Sequence, residues 1–262
     1  MKRIFIDQMN RAVEINFPPK RIVSLVPSQT ELLYDLGLSN EVVGQTLFCI
    51  HPDNMHQSKA RVGGTKKINF QSIAALNPDL IIGNKEENDQ TQIEELMKHY
   101  PVWMSDINTL DEALEMIDSV GVLVGKEQEA SNIFFQIQEK FNSLSAISNN
   151  VSTAYLIWCE PYMAAGHDTF INDMLKRCGF QNVFDTETSR YPEINTTLLQ
   201  QAHPKLIFLS SEPYPFKQKH IEELNVICPD AKVILVDGEL FSWYGSRLLK
   251  SIEYFIQLKH DI

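Results

Sequence analysis

Lys126-Glu127-Gln128-Glu129-Ala130-Ser131-Asn132-Ile133-Phe134-Phe135-Gln136-Ile137-Gln138-Glu139-Lys140-Phe141-Asn142-Ser143-Leu144 opens a stretch that runs on through Ile147 to Asn150. Its apolar residues Ala130, Ile133, Phe134, Ile137, Phe141, Leu144 and Ile147 fall mostly in steps of three and four, which lays one apolar stripe along a single helical face. Gln136, Gln138, Glu139, Lys140 and Asn142 occupy the other side. A helix of about twenty residues spans roughly 30 Å, the width of a small domain. An ordinary core helix would show the same periodicity. What precedes and follows the stretch favours a different reading, a spine carrying two lobes with function in the cleft between them.

Working outward, each side alternates strand and helix. On the N-terminal side Arg21 to Val26 reads as a buried strand. Ser28 is placed to cap the helix Gln29 to Leu36, with Glu31 completing a capping box. Further strands are predicted over Val42–Leu47, Asp79–Gly83 and Pro101–Met104, and helices over Phe70–Leu76, Asp89 or Gln90 to Tyr100, and Thr109–Val124. On the C-terminal side strands are predicted over Thr153–Trp158, Lys205–Leu209 and Ala231–Val236. Helices end at Cys178 and Ala202 and span Lys217–Val226 and Ser246–Leu258. Such alternation predicts parallel sheets built from βαβ units. Ile73-Ala74-Ala75-Leu76-Asn77-Pro78-Asp79-Leu80-Ile81-Ile82 and Leu198-Leu199-Gln200-Gln201-Ala202-His203-Pro204-Lys205-Leu206-Ile207 repeat one pattern, helix then proline then strand. The predicted architecture is α/β: two Rossmann-like lobes, 1–125 and 151–262, joined by the helix 126–150.

Ligands of open parallel sheets bind beyond the carboxyl ends of strands. After Val26 comes Pro27-Ser28-Gln29-Thr30 at a helix N-terminus, suited to an anionic or carbonyl group, although plain capping accounts for the same residues. After Leu47 comes Phe48-Cys49-Ile50-His51-Pro52. Lys66 and Asn84 lie in polar loops. The second half is richer. Glu160-Pro161-Tyr162 and Glu212-Pro213-Tyr214 follow two strands, and Ser189-Arg190-Tyr191 lies between them. Phe241, Trp243, Tyr244 and Arg247 follow a third strand. Rings give contact area at low entropic cost, and arginine stacks on rings or clamps oxyanions. The candidate ligand-binding set is therefore Pro27, Ser28, Phe48, Lys66, Asn84, Glu160, Tyr162, Arg190, Tyr191, Glu212, Tyr214, Phe241, Trp243, Tyr244 and Arg247.

Composition narrows the functions. A formal net charge of −11 disfavours nucleic acid and anionic membranes as partners, and no apolar run reaches a membrane span. Cys49, Cys159, Cys178 and Cys228 are scattered without a Cys-x-x-Cys, so buried free thiols are expected. No Walker loop, Gly-x-Ser-x-Gly or His-Glu-x-x-His motif is present, so no catalytic or metal-ligating residue is assigned. The N-terminus lacks a signal-peptide pattern. That places the chain in the cytoplasm as written, or in the periplasm if a signal has been removed.

The stretches Pro19-Lys20-Arg21-Ile22-Val23-Ser24-Leu25-Val26-Pro27-Ser28-Gln29-Thr30-Glu31, Val43-Gly44, Val62-Gly63-Gly64 through Leu76, Asn77-Pro78-Asp79-Leu80-Ile81-Ile82, and Gly166 to Phe184 together carry a family likeness. The chain resembles the periplasmic-binding-protein family of helical-backbone metal receptors, which deliver cobalamin and ferric siderophores to ABC importers. The resemblance implies two Rossmann-like lobes bridged by one long helix, little hinge motion, and a ligand between the lobes. It implies Phe48 as a first-lobe contact and Tyr191, Trp243 and Arg247 as second-lobe contacts. The expected function is capture of a metal chelate, cobalamin or a ferric chelate, with no intrinsic cofactor. The protein would act as a monomer, either with an ABC permease as partner or as a cytoplasmic relative of such receptors. The competing reading is an enzyme acting on a tetrapyrrole-like or other anionic small molecule through Glu160, Glu212 or Glu239.

Overall fold

The computed structural model describes residues 1–144 and 150–262. The chain divides into two compact units that are not contiguous in sequence. The first comprises Met1–Ile107, Asp111–Gln138 and Trp243–Leu249, and the second Asn108–Leu110, Glu139–Ser242 and Lys250–Ile262.

The chain starts with an antiparallel hairpin, β1 (Lys2–Ile6) and β2 (Ala12–Asn16). Asp7 closes its turn: Oδ1 accepts from the amides of Met9 and Arg11, and Oδ2 takes the Arg11 guanidinium. There follow β3 (Ile22–Ser24), α1 (Pro27–Asp35), β4 (Val42–Gln45), α2 (Asp53–Ser58), β5 (Ala60–Arg61), α3 (Phe70–Leu76), β6 (Leu80–Asn84), α4 (Gln90–Met97), β7 (Val102–Ser105), α5 (Leu110–Val124) and α6 (Glu127–Leu144). Strands pair in the order β5-β4-β3-β6-β7, all parallel. A parallel sheet is covered on both faces, so its inner strands read as continuous apolar runs. Every residue of β3 and β6 is buried, and Val23, Ile73, Ile81, Ile93, Leu96 and Val102 form the core around them. Asn69 and Asp89 cap α3 and α4, accepting from the amides of Ser72 and Gln92.

α1 departs from expectation. It begins at Pro27, and Val26 precedes it without a side-chain cap. Glu31 therefore does not reach back to close a capping box; its carboxylate binds Arg247 instead.

The apolar face read in the sequence is the buried face of α6. Ala130, Ile133, Ile137, Phe141 and Leu144 are buried and Phe134 half-buried, whereas Phe135 is exposed. Ile147, the last residue of the predicted stripe, lies outside the described residues. The first unit gives way to the second between Gln138 and Glu139, within this one helix.

The second unit contains β8 (Val151–Trp158), β9 (Tyr162–Ala164), α7 (Phe170–Arg177), β10 (Phe180–Asn182), β11 (Glu193–Ile194), α8 (Thr196–Gln201), β12 (Leu206–Ser210), α9 (Gln218–Ile227), β13 (Lys232–Val236), α10 (Gly238–Ser242) and most of α11 (Leu248–Asp261). Its strand order is β11-β9-β8-β12-β13, with β10 also on β8. β10, β12 and β13 are parallel additions, but β9 and β11 join antiparallel. β8 has eight residues, so it pairs with β10 at Val151–Thr153 and with β9 near Leu156 and Trp158. β9 and β11 have three and two residues. Segments that short carry no detectable period, which is why the sequence presents them as loops.

The repeated helix–proline–strand pattern is one device used twice. After α3, Asn77 takes φ +43° before Pro78, and after α8, His203 takes φ +46° before Pro204. In each case the strand that follows docks beside the first parallel strand of its own unit, β6 on β3 and β12 on β8. Both sheets are α/β layers with parallel central strands.

Candidate functional site

In the first unit the carboxyl ends of β4 and β5 feed the segments Thr46–Pro52 and Val62–Ile68. Between them opens a pocket of about 890 Å³, whose walls include Leu47, Phe48, Gly64, Lys66, Lys67 and Phe70. Leu47 and Phe48 are 53% and 58% exposed, an unusual degree for adjacent large apolar side chains, and Ile50 is 44% exposed. The segment is nonetheless held firmly. Leu47 donates its amide to the Gly63 carbonyl, Gly64 donates to the Lys67 carbonyl, and Gly63 bridges to Ile68. A Cβ on Gly64 would stand 3.2 Å from the Phe48 ring, so glycine there keeps the ring face clear. Cys49 beneath is fully buried; its Sγ lies 3.1 Å from the hydroxyls of Thr30 and Thr46, and burial pushes the thiol up.

The first unit also contains a buried polar network. Arg247 donates from Nε to Glu31 Oε2 at 2.7 Å and from Nη2 to Oε1 at 3.2 Å, and both side chains are almost fully enclosed. The guanidinium lies 4.5 Å from the Trp243 ring centroid, and Trp243 makes an edge contact with His51 at 5.7 Å. Gly245, at φ +97°, lets this segment pass close to the Ser28 carbonyl and Leu32. A side chain there would be strained. Tyr244 is buried near Ser28 and Ser105, and burial together with the Glu87 charge pushes its phenol up. Asn84 is also buried. Its Oδ1 accepts from the amides of Glu86 and Glu87, and its Nδ2 donates to Ser105 Oγ at 3.0 Å.

In the second unit the two Glu-Pro-Tyr segments converge. Tyr162 belongs to β9, and its hydroxyl donates to Glu223 Oε1 at 2.8 Å. Tyr214 packs edge-on against Trp158 at 5.5 Å and Phe216 at 4.9 Å. The Lys217 amide donates to His220 Nδ1 at 2.8 Å, which leaves Nε2–H facing the Tyr214 hydroxyl at 3.3 Å. Cys159 sits between the two tyrosines, its thiol pushed up by burial. Glu160 is exposed in the β8–β9 turn. Glu212 Oε1 accepts from Ser242 Oγ at 2.8 Å. Arg190 donates from Nε to the Asp168 carbonyl at 2.7 Å and from Nη2 to Asn108 Oδ1 at 2.7 Å, with Tyr191 half-buried beside it.

The candidate residues thus separate. Phe48 and Lys66 line an open pocket. Ser28 is buried in the first turn of α1, next to half-buried Pro27, and Asn84 braces the loop after β6. Phe241, expected as a ligand contact, is fully buried among Tyr155, Phe208 and Phe255. It is a core plug, because α10 turns its apolar side inward. Trp243 and Arg247, expected from the second lobe, pack within the first unit because the Glu31 ion pair anchors their segment there. Tyr244 travels with them.

Sequence reasoning missed Leu47, Lys67 and Phe70 in the pocket wall, and Trp158, which is 40% exposed at the end of β8. Consecutive apolar residues just past a strand end, outside any periodic element, were the available signal. All four cysteines are free and buried. Among the described residues no group of three or more His, Cys, Asp or Glu stands close enough to hold a metal ion, and no helix is long and apolar enough to cross a membrane.

Proteins named as substrate-binding or vitamin B12-binding proteins share its sequence pattern and fold. The chain is 25% identical over 94% of its length, and 82% of the relative's, to an uncharacterised ABC transporter substrate-binding lipoprotein, YvrC, of Bacillus subtilis. It is 23% identical to a vitamin B12-binding protein of Pectobacterium carotovorum, covering 88% of this chain and 85% of that one. Its fold matches the periplasmic vitamin B12 binding protein BtuF of Vibrio cholerae with a TM-score of 0.80 at 21% identity, over 94% of this chain and 100% of that one. None of these is an enzyme by name, and the alternative that gave Glu160, Glu212 or Glu239 a catalytic role finds no support among them. The family model described as periplasmic binding protein matches residues 22–225, well over half of the 262 residues. The chain belongs to the periplasmic binding protein family.

Proposed function

We propose that this protein captures a metal chelate of corrinoid or iron-siderophore type and presents it to an ABC permease. The observation that carries the reading is the pocket at the carboxyl ends of β4 and β5, where Phe48 offers an open ring face over Gly64. An exposed aromatic fixed on a rigid strand end is costly to keep in water and suits stacking on a large planar ligand. Relatives named for vitamin B12 binding support the ligand class, and solved neighbours named for heme binding widen it within metal-bearing macrocycles. Capture needs no bond-making chemistry.

The proposed receptor keeps the lobes 1–125 and 151–262 with 126–150 as connector, except that Trp243–Leu249 packs in the first unit, and the protein works as a monomer. The substrate-binding lipoprotein among the relatives favours the extracytoplasmic of the two expected locations. Absorbance and fluorescence titrations of the purified protein with cobalamins, iron protoporphyrin and ferric siderophores test the reading. Saturable binding of at least one at micromolar concentration is expected. Failure of every one to bind overturns it.

A further inference from the structure

The pocket beside Phe48 carries a charge pattern that the ligand class alone does not explain. The protein bears a formal net charge of −11, yet no Asp or Glu is among the described residues lining this pocket, and two adjacent lysines are. Lys66 Nζ donates to the Glu86 carbonyl. An ammonium has three hydrogens, so this contact fixes the side chain beside the pocket and leaves donors over. Lys67 is exposed, and its side chain makes no hydrogen bond or ion pair among the described residues. Its own carbonyl is held by the Gly64 amide, which fixes the lysine's backbone at the rim. Leu47, Phe48 and Phe70 supply apolar lining to the same pocket.

An apolar wall with a cationic rim recognises a flat or aromatic body with a negative group at its edge. The body is desolvated on the rings, and the anion stays at the solvent boundary where an ammonium can meet it without a large desolvation cost. We infer that Lys66 and Lys67 select chelates bearing an edge carboxylate or comparable anion over otherwise identical neutral ones. This deepens the proposed chelate-binding function and rests on it.

Matched pairs isolate the charge. Iron protoporphyrin IX is compared with its dimethyl ester, and cyanocobalamin with the monocarboxylic acid formed by hydrolysing one side-chain amide. In any pair that binds, the acid is expected to bind about five- to tenfold more tightly at about 20 mM salt, with the advantage shrinking at about 0.5 M as the charges are screened. The double variant Lys66→Glu/Lys67→Glu should lose or reverse the preference while still binding the neutral member. Lys219→Glu, on an exposed face of α9 in the second unit, should keep it. Equal affinity within a pair, or a preference that survives the double substitution, overturns the inference while leaving the receptor function standing. Binding of none of the four compounds, nor of a ferric siderophore, overturns the function on which it rests.

Discussion

The strand-end segments of the two units invite opposite readings from sequence and from structure. Those of the second unit hold Glu160, Tyr162, Arg190, Glu212 and Tyr214, the denser chemistry. Those of the first hold little beyond Phe48 and Lys66. In the folded chain most of the dense set is already engaged within the second unit: Tyr162 with Glu223, Tyr214 with Trp158, Phe216 and His220, Arg190 with Asp168 and Asn108, Glu212 with Ser242. The sparse set is what stands open. Polar and aromatic residues attract one another as readily as they attract a ligand, so crowding in a sequence marks self-satisfaction as often as recognition.

Four measurements can break or sharpen that contrast. The largest effect is expected at Glu31. Glu31→Ala leaves the Arg247 guanidinium buried without its carboxylate, a loss of about 3–5 kcal/mol in unfolding free energy, read from urea denaturation. A loss below about 1 kcal/mol would mean that the ion pair is not the anchor of the Trp243–Leu249 segment. Phe241→Ala should cost about 3–5 kcal/mol through the cavity it leaves among Tyr155, Phe208 and Phe255, while chelate affinity in the folded fraction stays within about twofold.

The third measurement is a pH series. Burial raises the Cys178 thiol and the Tyr155 phenol, so the folded state favours their protonated forms. Their stabilising contribution is complete below the unfolded values, about 8.5 for the thiol and about 10 for the phenol. It is lost as pH climbs toward the raised folded values. Stability should fall above about pH 8.5 with a slope of about 1.4 kcal/mol per pH unit for each group titrating only in the unfolded chain. Cys178→Ala should flatten the first part of that decline, and an unchanged slope in the variant would remove the thiol from the account. The smallest stability effect belongs to Phe48. Phe48→Ala should change unfolding free energy by less than about 0.5 kcal/mol and yet weaken chelate binding about tenfold, since a stacked ring contributes on the order of 0.5–1.5 kcal/mol beyond the area it buries. Equal losses in stability at Phe48 and Phe241 would erase the distinction between them.

Much of the fold was legible because it rests on local rules. The stripe of α6 and the paired Asn77-Pro78 and His203-Pro204 breaks each depend on residues within a few positions of one another. What escaped depends on partners far apart. Glu31 reads as a capping-box acid until Arg247, at a sequence separation of 216, claims it. β9 and β11 are strands only because β8 is long enough to seat them. Phe48 was expected as a contact by family likeness; its openness, which Gly64 helps to keep, was not legible.

The return of Trp243–Leu249 to the first unit bears on how the protein is made. A ribosome releases the N-terminal residues first, and domains generally complete themselves in that order. Here the first unit waits. Until residue 249 has emerged, Glu31 faces an interior site without Arg247, and the place that Trp243 fills beside His51 stays open. The nascent first unit therefore stays unfinished through the synthesis of the whole second unit, and a chain truncated before Trp243 should be more protease-sensitive than the full chain despite carrying a complete parallel sheet.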